Sequence, residues 1–229
     1  SNLVNLYTRM GRFKDARDLV AGYLPMDPNS KVLQRLAVAT EARLKASQEL
    51  PLQMMALQAN PDNRQALGPV LQSLMILGRI EDVDRTVSNS IASTPKDVPF
   101  LRDMINFYAT QSRIPQALDV ALKLEKAQPD QWDVPYTIAK YQLITGQRDS
   151  SYANIRKSVQ LGGNTAMQQI AREQLFQQVA GDPAFQQALR GEIPPGSPAA
   201  KSLDQSIMKT IQEAAAKQQS QKKQDRTNH

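Results

Sequence analysis

Cysteine is absent from the 229 residues, and the single histidine is the last of them, His229. Those two absences remove thiol nucleophiles, disulfides, Cys/His zinc sites and any catalytic triad built on imidazole. Aromatic side chains are few: one Trp, six Tyr and five Phe. The ten glycines form neither a phosphate-cradling loop nor a dinucleotide fingerprint. No stretch approaches the roughly 20 apolar residues of a membrane span. The longest candidate, Val70 to Leu77, is interrupted by Gln72 and Ser73. What remains is a chain 41% apolar and 22% charged, ample for a buried core in one domain or two small ones.

Positive charge is in modest excess, at +6 overall. Half of that excess sits beyond Ser197, where Lys201, Lys209, Lys217, Lys222, Lys223 and Arg226 outnumber Asp204, Glu213 and Asp225. The preceding body mixes both signs, so no face is reserved for tracking a phosphate backbone. The basic end has no aromatic to stack on bases and too little charge density for an anionic membrane. Nucleic-acid binding and membrane insertion are therefore not expected of this chain. Ser1-Asn2 reads as an added scar, and Leu3 starts in the middle of a helical periodicity. That beginning is expected of the C-terminal part of a longer, bacterial protein.

Periodicity organises the rest. Prolines fall at 28, 61, 95 and 129, spaced by 33, 34 and 34 residues, and the next step lands on Gly163. A second series, Gly11, Leu44, Gly78, Ser112 and Gly146, keeps the same spacing. A third follows five residues later: Ala16, Glu49, Val83, Ala117 and Ser151. Three registers agreeing over five cycles define a repeat. Each cycle reads as helix, tight turn, helix, turn. In the third, Leu67, Val70, Leu71 and Leu74 form one apolar stripe, Gly78 breaks it, and Ile80, Val83, Val87 and Ile91 form the next. Glycine supplies the left-handed conformation that ends the first helix. Proline cannot continue the second, and its polar neighbours cap the helix that follows. Such short amphipathic pairs cannot bury both faces alone, so they must stack.

The segment LVNLYTRMGRFKDARDLVAGYLPMDPNS resembles a tetratricopeptide repeat shortened at its start. The matching positions are Tyr7, the turn Gly11, Phe13, the small Ala16 at the helix crossing and the closing Pro28. FLRDMINFYATQSRIPQALDVALKLEKAQP matches similarly through Tyr108, Ile114, Ala117 and Pro129. The resemblance implies an all-α, right-handed solenoid of about five helix-turn-helix repeats, occupying residues 1–180. Its units run at about 1–29, 30–63, 64–97, 98–131 and 132–165, followed by a capping helix at 165–180. Residues 181–198 are expected to form a closing turn and Pro-rich linker, and 199–229 a tail with one amphipathic helix before a Gln/Lys-rich end. Asp182 is placed to cap a short helix opened by Pro183.

Local departures stand out. The second unit has Leu44 in the turn position, Glu49 in the small position and Pro51 inside its second helix, which is therefore expected to start late with Pro51 in its first turn. Pro69 is read in the same way for the third unit, and Gln142 occupies an aromatic slot in the fifth. In the tail, Leu203, Ile207 and Ile211 form a narrow stripe after the capping-box pair Ser202 and Gln205. That helix is expected to dock on its own repeats or on those of a neighbouring copy.

Candidate functional residues follow from the same register. Glu81, Asp82 and Asp84 open a helix, where acidic residues are favourable, and do not have the oxygen count of a metal loop. Trp132 is expected to pack between units. The exposed face of each first helix presents Asn5 and Arg9, Gln34 and Arg35, Gln72, Arg102 and Asn106, and Lys140. The resemblance implies that these residues line a concave groove. Arg102 and Asn106, four apart, stand side by side there. The expectation is a scaffold that binds a peptide or a partner's surface, with no catalysis, cofactor or metal. The alternative is an appended regulatory or assembly module of a larger enzyme or envelope membrane protein.

Overall fold

The computed structural model describes residues 2–61 and 63–192, so the expectations for the linker after 192 and for the tail helix lie outside the described residues. Every regular element among them is a helix: α1 (Asn2–Arg9), α2 (Phe13–Tyr23), α3 (Lys31–Ala59), α4 (Arg64–Ile76), α5 (Ile80–Ser93), α6 (Val98–Thr110), α7 (Ile114–Ala127), α8 (Asp133–Ile144), α9 (Arg148–Arg172), α10 (Gln174–Gln177) and α11 (Pro183–Leu189). The chain divides into two compact units, Ser1–Pro95 and the part from Lys96 onward.

One turn recurs at four of the five predicted positions. Gly11, Gly78 and Gly146 have φ of 72°, 71° and 79°, and Ser112 adopts 57° in the same place. In each case the residue after the turn donates its N–H to the carbonyl five back: Arg12 to Tyr7, Arg79 to Leu74, Arg113 to Tyr108 and Gln147 to Gln142, at 2.8–2.9 Å. These are the paired bonds of a Schellman ending, which satisfy the last carbonyls of one helix and start the next. The second helix of each pair accordingly begins without a side-chain cap. Of the first helices entered from the proline side, α3, α4 and α6 use side-chain caps and α8 does not. Asn63 accepts from Gln65 and Ala66 N–H, and Asp97 from Phe100 N–H.

Each unit has its own apolar interior. In the first, Val4, Ala16 and Val20 pack with Leu36 and Ala37 of α3, while α3 continues onto α4 and α4 onto α5. Val70, Leu74, Val83 and Val87 are fully buried there, each contributing about 1.5–3 kcal/mol relative to exposure. In the second, Tyr136, Tyr152, Ile155, Ile170, Phe176 and Phe185 form a common cluster with Trp132 packed against it. The small crossing positions Ala16, Val83, Ala117 and Ser151 are all buried. Ser151 satisfies its hydroxyl by donating to the Ala139 carbonyl at 2.8 Å.

Three local expectations are corrected. The second unit makes no turn at Leu44, because α3 runs unbroken through it. A left-handed Leu is costly, and Ala42, Arg43, Leu44, Lys45, Ala46, Gln48 and Glu49 are mostly strong helix formers, so continuing is cheaper than turning. Pro51 consequently lies inside α3 rather than in a first turn, and Pro69 lies inside α4. The predicted capping helix is also not continuous. α9 bends at Gly163 (φ 54°, ψ −137°) and ends at Arg172, Glu173 is extended, and the short α10 and α11 close the unit. Asp182 caps α11 as expected, accepting from Ala184 N–H at 2.9 Å.

Candidate functional site

The second unit brings Arg102 and Asn106 of α6 together with Lys140 of α8. They line a cleft of about 280 Å³ with Tyr136, Thr137 and Tyr141. The register explains this meeting. Asn106 and Lys140 are one 34-residue period apart, as are Arg102 and Tyr136, so stacked first helices set them side by side. That signal was available for Tyr136 in the sequence, although projection of the exposed face passed over it.

Neither cation in the cleft is free. Arg102 donates to Asp133 Oδ2 at 2.6 Å and to Gln128 Oε1 at 3.1 Å. Lys140 donates to Glu173 Oε2 at 2.8 Å, and the Tyr136 hydroxyl donates to the same oxygen at 2.5 Å. The Lys140 ammonium also lies 5.4 Å from the centre of the Tyr136 ring. Both ion pairs join residues about one repeat apart. Lys157 and Glu125, 2.8 Å apart, do the same between α9 and α7. The extended backbone at Glu173, which ends α9, thus coincides with a carboxylate bonded to two residues that line the cleft, Tyr136 and Lys140.

Protonation follows from these contacts. Hydrogen bonds from Lys140 and then Tyr136 hold the Glu173 carboxyl below its ordinary value of 4.5. Burial, followed by the bond to Glu173, pushes the Tyr136 phenol up to about 12. Tyr152, buried and donating to Asp182 at 2.8 Å, is likewise raised to about 12. Burial also raises Tyr141. A carboxylate with a depressed pKa stabilises the fold above its unfolded value and loses that contribution as pH falls through the folded one. Glu173 and Lys140 are 24% and 32% exposed, so solvent screens the pair only in part. Glu173→Gln is expected to lower stability at pH 7 by about 1 kcal/mol. The gap to wild type should narrow as pH falls below 4.5. Urea unfolding at pH 7, 5 and 3.5 checks this; a gap constant with pH would mean that the Glu173 charge contributes nothing.

The remaining predicted residues belong to the first unit. Asn5 and Arg9 are exposed on α1, and Gln34 and Arg35 on α3. Gln34 folds back, its Nε2 donating to the Pro28 carbonyl at 2.7 Å. Gln72 lines a shallow cleft of about 270 Å³ with Lys45, Glu49 and Gln53. Arg9 lines a different and larger cavity, described below. The acidic run at 81–84 opens α5, with the Asp82 carboxylate accepting from Arg79 and Arg85 at 2.7 and 2.8 Å. Among the described residues no acidic or histidine side chains converge into a group that could hold a metal. None of their helices is long and apolar enough to cross a membrane.

The repeat period, the left-handed turn with its paired backbone bonds and the small buried crossing residue now stand together in one chain. The fold is tetratricopeptide-like. No family model matches the sequence, and no curated protein does. Several solved structures are similar to this tetratricopeptide-like chain at low identity. A tetratricopeptide protein of Thermus thermophilus, TTC0263, is 14% identical over 74% of this chain and 93% of its own, with a TM-score of 0.36. YrrB, described as a tetratricopeptide protein with an unusual peptide-binding site, is 13% identical over 75% and 90%, with a TM-score of 0.37. PilF of Pseudomonas aeruginosa is 16% identical over 90% and 95%, with a TM-score of 0.36.

Proposed function

We propose that the chain is a non-catalytic scaffold that binds a peptide or an extended segment of a partner protein, and that the α6–α8 cleft takes part. The observation that carries this reading is the state of the cleft's charges. Arg102 and Lys140 are each held by a carboxylate, while the Asn106 amide beside them is exposed. A neutralised cleft offering an amide and a tyrosine suits the alternating donors and acceptors of a peptide main chain. It suits a lone terminal carboxylate less well, because Arg102 is already engaged by Asp133. Charge reversal at Arg102 would also place two acids together where α6 meets α8, so it is a poor probe of binding.

Asn106→Ala combined with Tyr141→Phe is the cleaner probe. Peptides selected from a random 12-residue display library against the full chain should bind this double variant at least tenfold more weakly. That factor corresponds to about 1.4 kcal/mol. Thermal unfolding should stay close to wild type, since Asn106 is exposed. Selected peptides that bind wild type and variant equally would place recognition elsewhere.

A further inference from the structure

A cleft within the first unit lies beside the stretch of α3 that does not make the expected turn. Regular repeats would set turns at 11, 44 and 78 in a row. Instead the turn at Gly11 and the turn at Gly78 flank the middle of an unbroken α3. Between them is a cavity of about 620 Å³, within the size range of ligand sites. Its apolar lining comes from Phe13, Leu50, Met54, Leu74 and Leu77.

Two features say what would fill it. First, Arg9, Arg79 and Arg85 line the cleft against a single carboxylate, Asp82, which already accepts from both Arg79 and Arg85. Arg9 has no carboxylate partner among the described residues, so the lining carries two uncompensated positive charges. Second, Pro51 has no N–H to give the Ser47 carbonyl, and both residues line the cleft. That carbonyl therefore lacks its helical donor. An apolar floor, a cationic rim and a spare acceptor together select a ligand with apolar side chains, carboxylates and a donor. We infer that this cleft is a binding site for an acidic amphipathic peptide segment of a partner protein, laid against α3 between the two turns. Helix-in-groove docking is the corresponding mode of recognition. The chain's own residues 197–229 carry a positive excess, which the rim would repel.

The test uses the full chain with its methionine methyl groups carbon-13 labelled, the Met54 signal being assigned with Met54→Leu. The probe is a fluorescein-labelled 14-residue peptide with Leu at helical a and d positions and Glu elsewhere on its polar face. Its counterpart replaces each Glu with Lys. Expected results are saturable anisotropy with the Leu/Glu peptide, a shift of the Met54 methyl, and no binding of the Leu/Lys peptide. Arg9→Glu/Arg85→Glu should weaken binding at least tenfold, with helicity by circular dichroism retained. Lys123→Glu/Lys126→Glu, the same charge change on exposed positions of α7, should leave it unaltered. Equal binding of both peptides, or equal loss in the two double variants, overturns the proposal. So does a Met54 signal that shifts without peptide, whether on dilution of the protein (a second copy in the cleft) or on Ile207→Asp (the chain's own tail in it).

Discussion

Gly162→Ala is expected to destabilise the second unit by about 1–3 kcal/mol, against the helix-forming preference of the substitution. In an open helix the same change favours folding by about 0.5–1 kcal/mol, since glycine loses more chain entropy. At Gly162, however, a Cβ would stand 2.5 Å from Trp132 Cγ and 2.8 Å from both Trp132 Cβ and Ala166 Cβ. Cβ and Cγ are the root of the tryptophan side chain, so rotating the ring does not clear them. Trp132 is further held by packing on the Tyr136 ring, 6.1 Å away, and its carbonyl accepts from the Ser158 hydroxyl at 2.8 Å. Relief therefore requires α9 to back away from the start of α8, opening the cluster of Tyr136, Ile155 and Phe176. Gly22→Ala is the control: it lies in α2 with nothing within 4 Å of the added methyl. Urea midpoints should move in opposite directions for the two variants. If both rise, the close approach of Trp132 to α9 is not a feature of the protein in solution.

Ala117→Leu should have a comparable effect. Ala117 is completely buried in α7, which packs on both α6 and α8. Replacing its methyl with an isobutyl group forces these helices apart, at about 1–3 kcal/mol. Because neighbouring pairs stabilise one another, the damage is expected to spread as a broader transition rather than a simple downward shift of the midpoint. Ala153→Leu, on the exposed side of α9, should stay within about 0.5 kcal/mol of wild type. An Ala117→Leu protein that unfolds like the Ala153 variant would mean that 117 is not the crossing point.

The helical pairs were legible in the sequence because their signals are local. Gly11, Gly78 and Gly146 mark turns by the conformation only glycine adopts freely, and Ser112 follows the same register although its side chain opposes it. Asp182 before Pro183 announced a helix start, and the structure has one. Leu44 was legible as an exception, but its outcome was a competition. A turn without glycine lost to a run of strong helix formers, and an internal proline was tolerated as the consequence.

The candidate residues divide along the same line. The register sets Arg102, Asn106 and Lys140 on faces one period apart, and the three line one cleft. It was silent on what neutralises them. Asp133 and Glu173 reach Arg102 and Lys140 from the following repeat, and which rotamer brings an acid to a given cation depends on packing. The need for glycine at 162 is of the same kind, set by a tryptophan thirty residues earlier. Repeat length, turn sites and helix caps are decided by backbone conformation within a few residues, and so belong to the sequence alone. The unbroken α3, the cleft beside it, the two locked cations and the Trp132–Gly162 contact arise from contacts between helices. Only the tertiary structure decides them, because short side chains and long-range neighbours compete there for the same space.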